Sequence, residues 1–600
     1  MIGLSTILKV LFTSLLAVWL FPLAVVLAAP IIMPVSDLVL GMHGIAKTVV
    51  QGTKIEDFDV EILGVMKNQG PSGDLILVRT SGSVIDRTGG IAQGMSGSPV
   101  YIDGKLVGAI AYGWSLTDHK IGMVTPIGDM LKNLDNASSE VKVTPPVLPE
   151  TNDAQATLAQ ASTQLMVSGY TAESLSFLKT KLEPYHLVPL EVGDAPAGTQ
   201  YGTIEPGSSI GVQLVRGDVN VGALGTVTYV DGDKFVAFGH PFMQKGSVDF
   251  LASNAYIFTT VSSLDNSFKV GATGELVGTV NQDRGSGISG QLKQYPYIIP
   301  FRVTVEDKDL HHTVESDYQV VRDEDLAPTL GATGVYNVIQ KASDRVGGGT
   351  AKVSFEITAR GLPGEVIKRE NMFYSPAKIG ELSIAEIFEA LDMLIRNPFH
   401  PIDLFDVKVN VSLDSSRQTA TLLAAAVTNP SVKPGDSVNI NVTLKPFRGD
   451  AIVSTIPYKV PENQPPGPLV LEVRGGGMAP LTQVLLKRQG LDPDLLHPDK
   501  KINTFDKVVN DFVTRDHNND IIVEILDNSV DTGDAAVVPV PAVIPAPVPA
   551  QDTKTKLKVK TALAGSTNLS KPDANKKAKS SLATGYIIDG DAQVALTVSK

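Results

Sequence analysis

Cysteine is absent from all 600 residues. That removes a disulfide framework, a thiolate metal site, a cysteine nucleophile and lipoprotein acylation from consideration. Excess positive charge is lacking too: 51 Lys and Arg stand against 64 Asp and Glu, and the formal net charge of −13 argues against nucleic acid as a partner. Beyond residue 29 no apolar run is long enough to span a bilayer.

What is present is glycine, proline and alternation. With 54 Gly, 38 Pro and many short Val/Ile/Thr alternations, the chain reads as mainly β with a few helices, and its length allows roughly three or four domains. Lys9 followed by the apolar run from Val10 to Ala29 reads as a signal peptide cleaved near Ala28 or Ala29, or as a retained anchor. The body is therefore expected to be exported, and an exported chain with a large core and no disulfides fits a bacterial envelope.

The divisions expected along the chain are 1–29 as signal or anchor, 38–132 as one β domain, 140–163 as a Pro/Ala-rich linker and 200–358 as a second β domain. Residues 375–475 read as a helix plus a small β-sandwich, because Val407 to Leu413 and Val438 to Leu444 alternate on either side of the turn at Lys433–Asp436. The helix from Ile384 to Ile395 opens on Ser383-x-x-Glu386, a capping-box pattern. Residues 476–530 read as a small α/β segment with a helix over 505–513 capped by Thr504. Residues 531–552 form a Pro-rich linker and 553–600 a basic tail. From 551 onward nine lysines face four aspartates, so an envelope polymer or membrane surface is a candidate partner for that tail.

The stretch that carries chemistry is Gly94-Met95-Ser96-Gly97-Ser98-Pro99, followed by Val100-Tyr101-Ile102, the turn Asp103-Gly104-Lys105 and Leu106–Ile110. A small-residue loop that presents a serine and runs into a hairpin is how chymotrypsin-like peptidases hold a nucleophile. Gly94 lets the backbone turn so that the N–H groups of Gly94 and Ser96 point together at a developing oxyanion. A serine at its free pKa needs a base within reach. Most of the nine histidines sit beside turns or in charged stretches. His43 and His119 flank the serine in sequence, but neither ends a hydrophobic strand, whereas His240 does, in Phe238-Gly239-His240-Pro241-Phe242.

Thr88–Pro99, Phe58–Ile62 and Ala237–His240 resemble segments of the SpoIVB-type serine peptidases, exported enzymes of sporulation signalling. The resemblance implies a chymotrypsin-like two-barrel peptidase unit, a protein or peptide substrate in the envelope or the chain itself, Ser96 as nucleophile and His240 as general base. It implies no metal or organic cofactor. Two features depart from the family. The histidine segment follows the serine segment instead of preceding it, so the peptidase part reads as permuted. The family's aspartate position falls on Ser81, which leaves Asp283, Asp249 and Asp86 as candidates for the orienting acid. A peptidase-like fold kept as a binding or structural module in the cell envelope is the alternative.

Overall fold

The computed structural model describes residues 31–71, 73–114, 117–135, 163–343, 347–480, 483, 504–526 and 578–600. The expected signal segment, the expected linkers 140–162 and 531–552 and the lysine run from 554 to 560 lie outside them, while residue 163, expected as the first linker's last, opens a strand.

Alternation along Phe58, Val60 and Ile62, with Asp57, Asp59 and Glu61 between them, puts one face of a strand into a core and the other into water. Six such strands close into a barrel: β1 (His43–Val49), β2 (Ile55–Gly70), β3 (Gly73–Ser81), β4 (Pro99–Ile102), β5 (Lys105–Tyr112) and β6 (Ile121–Pro126). They pair in the ring order β1-β2-β3-β6-β5-β4, with β4 returning to β1. The interior is filled by Ala46, Phe58, Val60, Ile76, Val78, Val100 and Val124.

A second and larger sheet follows, with thirteen strands. Its central part is β9 (Ser209–Gly217), β10 (Asn220–Asp231), β11 (Lys234–Ala237), β12 (Gly246–Val261), β13 (Phe268–Arg284) and β14 (Gly287–Leu292), preceded at its edge by β7 (Thr163–Ser168) and β8 (Leu187–Glu191). The pairings β9-β12-β13-β14-β11-β10, closed by β10 on β9, make a second antiparallel ring of six. Counted from each ring's own first strand, the two orders are the same. The expected two-barrel, mainly β architecture is therefore present.

Five further strands, β15 (Ile298–Asp307), β16 (His312–Val321), β17 (Gly349–Arg360), β18 (Val366–Ser375) and β19 (Asp403–Asp414), extend the second sheet beyond β9. The helices Ala327–Ala342 and Ala385–Ile395 contribute to the core of this sheet through Leu330, Val335, Ile387 and Leu391. Tyr318 stacks on Phe301 beneath them, with centroids 5.0 Å apart, and donates its hydroxyl to Gly331 O.

Several boundaries differ from the sequence reading. Val407, Val409, Val411 and Leu413 do form a one-face-buried strand, but it is β19, lying parallel to β15 and antiparallel to β17 in the large sheet. Alternation reports a buried face without saying which sheet owns it. The small sandwich instead draws strands from Thr419–Val427, Ser437–Pro446, Ile452–Lys459, Gly467–Gly475 and Asp520–Ile525, and from the end of the chain. Residues 579–598, expected within a basic tail, supply three strands that bury Ile588, Val594, Leu596 and Val598 in the sandwich core. The expected α/β segment at 476–530 is divided: Phe505, Val509 and Phe512 join the large-sheet core, while Ile521 and Val523 join the sandwich. Thr504 caps its helix as expected, accepting from Lys507 N. The capping box at Ser383 does not form, because Ser383 Oγ donates to Ile379 O and Glu386 is taken by a bidentate pair with buried Arg369.

Candidate active site

Ser96 lies in the connection between the third and fourth strands of the first ring, and His240 in the same connection of the second ring. The rings meet at these connections. Thr226 N, on β10, donates to Ser96 O at 2.8 Å, Thr226 Oγ1 to Gly94 O at 3.0 Å and Thr228 Oγ1 to Gly97 O at 2.8 Å. Gly97, at φ +94°, carries no side chain because a Cβ there would overlap the Thr226 carbonyl oxygen. On the other flank Gln93 N donates to Ser267 O and Lys269 N to Gln93 O, at 2.7 and 2.9 Å. The helix Ile127–Asp135 bridges the rings as well, with Asn133 Nδ2 donating to Gly287 O at 3.0 Å.

The loop of Ser96 is therefore pinned at successive peptides. The Gln93–Gly94 peptide is held through its carbonyl by Lys269 N, and the Met95–Ser96 peptide through its carbonyl by Ser98 N and Ser98 Oγ, at 3.0 and 2.6 Å. In a trans peptide the N–H points opposite to the C=O. Both anchored carbonyls thus fix the direction of the Gly94 and Ser96 N–H groups, which donate to no described residue. Open N–H groups of this kind are what oxyanion holes are built from.

His240 reaches the same place by a strained turn. Phe238 and Gly239 both have positive φ, +71° and +70°, and Thr125 Oγ1 of the first ring donates to Gly239 O at 2.5 Å. A non-glycine residue in the left-handed region costs about 1–3 kcal/mol, so the surroundings have to enforce it. The half-buried ring packs near Tyr112 and Phe238, with centroids 6.0 and 5.8 Å away. Its Nδ1–H donates to Pro241 O at 2.7 Å, since a carbonyl can only accept. That leaves Nε2 unprotonated, and burial lowers the pKa of the ring below its ordinary value.

None of the three candidate acids bonds to this ring. Asp283 is buried at the end of β13 and accepts from Phe242 N and Met243 N, both at 2.7 Å, and from Lys245 N at 3.3 Å. It therefore fixes the loop that follows His240 instead of the imidazole. Asp249 accepts from Thr279 Oγ1 and Tyr297 N, and Asp86 pairs with Lys120 at the surface. Ser81 ends β3, opposite Asp59. The task of setting the tautomer falls to the Pro241 carbonyl.

Ser96, Gly94 and His240 line one cavity of about 980 Å³ between the rings. Its wall mixes apolar side chains, including Ile91, Ala92, Met166, Leu224 and Phe238, with polar ones, and no Asp or Glu lines it among the described residues. His119 is at this wall, with Nε2 3.2 Å from Leu264 O, whereas His43 is exposed on β1 and does not line it. No group of His, Asp or Glu among the described residues is arranged to hold a metal ion.

The sequence reading missed one member of the site, Lys269. Its side chain is 1% exposed, yet it lines the cavity, and Nζ donates to Thr48 Oγ1 at 3.0 Å and Thr226 Oγ1 at 3.4 Å. Burial pulls its pKa down to about 7. The signal in the sequence was a lysine in the inward register of β13, in step with buried Gly271.

Compared with known proteins, residues 31–131 match the family model described as SpoIVB peptidase S55. The matched segment contains the first ring and the loop of Ser96, and it supports a SpoIVB-like serine peptidase. No curated protein and no solved structure matches the chain.

Proposed function

We propose that this chain is an exported serine endopeptidase in which Ser96 is the nucleophile and His240 the general base. One observation carries the reading: Ser96, the Gly94 and Ser96 N–H groups that donate to no described residue, and a histidine whose Nε2 bonds to none of them line one cavity between two rings of like topology. The family match covers only the serine-bearing ring, so the role of His240 rests on this convergence.

In the reaction Ser96 Oγ bonds to the scissile carbonyl carbon while its proton passes to His240 Nε2. The carbonyl oxygen, now an oxyanion, is received by the Gly94 and Ser96 N–H groups. Nε2–H then protonates the leaving amine, the C–N bond breaks and an acyl-serine remains. Water attacks that ester, losing its proton to Nε2, and the serine is regenerated as the acid leaves. No hydrogen bond joins Ser96 Oγ to the ring, and the proposed reaction requires that contact to form with substrate in place, as such contacts often do. The Pro241 carbonyl holds the tautomer, but a neutral dipole stabilises an imidazolium less than a carboxylate would. A slower enzyme than one with an Asp in that place is expected.

A fluorophosphonate probe tests this directly, since covalent capture requires an activated serine. Wild-type protein should be labelled at Ser96, Ser96→Ala not at all, and purified wild-type protein should cleave an unfolded protein substrate. Absence of labelling across pH 6–9 would leave the second reading, a peptidase-like binding module of the envelope. The neutral group on His240 Nδ1 is the feature that favours that alternative. Export would be supported by the apolar stretch from Val10 to Ala29 and is checked by the intact mass of protein recovered from the envelope or medium. The lysines between 554 and 577 would give such a protein a contact with anionic wall polymer or lipid.

A further inference from the structure

The cavity wall holds a buried amine that the reaction above does not use. Lys269 arrives from the second ring, yet its main chain, its stem and its amine all reach the loop of Ser96 or the residues that hold it. Its main-chain N–H holds Gln93 O, the carbonyl of the peptide that offers the Gly94 N–H to the oxyanion. Its aliphatic stem lies against Gly94, where an added Cβ would meet Lys269 Cδ at 3.0 Å. Its Nζ donates to Thr226 Oγ1, whose own hydroxyl proton goes to Gly94 O, and to Thr48 Oγ1 on β1.

A purely structural residue at this point would be apolar, because an ammonium with only hydroxyl partners is costly to bury. No carboxylate pairs with Lys269 among the described residues. The groups that face it are Thr48 from β1, Thr226 from β10, and Gln93 and Gly94 from the loop, with Ser267 next to it on its own approach; His240 and His119 share the cavity wall.

We propose that Lys269 is a positioning residue of the oxyanion site: its main-chain N–H and stem lock the Gly94 peptide from the second ring, and its ammonium charge, joined through Thr226 Oγ1 to Gly94 O, favours the negative charge that develops at the Gly94 N–H. This rests on the peptidase reading of the same cavity. Acylation then needs His240 neutral and Lys269 protonated. The lowered pKa of His240 and the value of about 7 for Lys269 confine that combination to a window near neutrality. The rate should rise with pH as His240 loses its proton and fall again as Lys269 loses its own.

The experiment is the second-order rate of fluorophosphonate labelling of Ser96 in the full chain, measured from pH 5 to 9. Wild type should give a bell. Lys269→Met, of similar length and without charge, should lower the maximum about tenfold and abolish the alkaline limb while keeping the acid limb. Should that variant fail to fold, Thr48→Val reads the same effect: it removes an acceptor of the ammonium, lowers the lysine's pKa and moves the alkaline limb to lower pH. An alkaline limb unchanged in these variants overturns the proposal. So does a wild-type rate that only rises through pH 7 and is lost in Lys269→Met, which would make the lysine the base. A wild type that labels at no pH fails the peptidase reading itself, a separate outcome.

Discussion

Ser96 was legible from its neighbours, because glycine, serine and proline around it specify a turn, and the hairpin behind it specifies what the turn stands on. Replacing it with alanine should abolish fluorophosphonate capture, and His240→Ala should slow capture on the order of 10⁴-fold, read by mass spectrometry of the labelled peptide. Because burial lowers the pKa of His240, the acid limb of kcat/KM should have its midpoint below the ordinary value of about 6.5. The same shift has a stability consequence. The unfolded chain takes up this proton at higher pH than the folded one, so the stability contribution is complete above about 6.5 and is lost as pH falls through the folded pKa. Asp283 was a candidate for orienting the ring, yet its oxygens are occupied by main-chain N–H groups beyond Pro241. Asp283→Asn would set an amide NH₂ against those donors. A loss of about 2 kcal/mol is expected in denaturant unfolding, together with slower capture at Ser96. Lys269 went unread for a physical reason: one lysine among alternating residues looks like a solvated strand face until the facing ring is in place.

At the scale of elements, alternation identified strands well and their partners poorly. The run Val407 to Leu413 was read as a sandwich strand and is β19 of the large sheet, because parallel pairing with β15 depends on residues a hundred positions away. The helix at 505–513 was legible from Thr504 and its apolar stripe, since both are local. The capping box at Ser383 failed because Arg369, on the preceding strand, claims Glu386, and Ser383 Oγ bonds back to Ile379 O. The decisive contact between elements is that of the Ser96 loop with β10. Gly97→Ala would force a methyl group onto the Thr226 carbonyl at a backbone angle that disfavours any side chain. A destabilisation of about 3 kcal/mol and loss of capture are expected, with thermal unfolding and labelling as the two readouts.

For the whole molecule, the end of the chain returns to complete a unit begun far upstream. Residues 591–598 pair with Gly467–Gly475, and 579–583 with Asp520–Ile525. Ending the chain at residue 577 should uncover Leu469, Leu471 and Val473, lower the unfolding temperature of the sandwich and make it sensitive to limited proteolysis. Ser96 capture should keep its full-length rate, because no sandwich residue lines the cavity among those described. The sequence by itself determined what is local and periodic: the strands, the turn that carries Ser96, the apolar strand that ends at Ala237 shortly before His240, and the absence of thiol chemistry. Tertiary structure alone decided that two rings of the same strand order dock with Ser96 and His240 on one cavity, that a main-chain carbonyl and not a carboxylate sets the histidine's tautomer, and that a lysine is buried against Gly94 in the loop of Ser96. Each of these is a contact between segments more than a hundred residues apart or a direction taken by a backbone group. Neither leaves a periodic trace in the order of the amino acids.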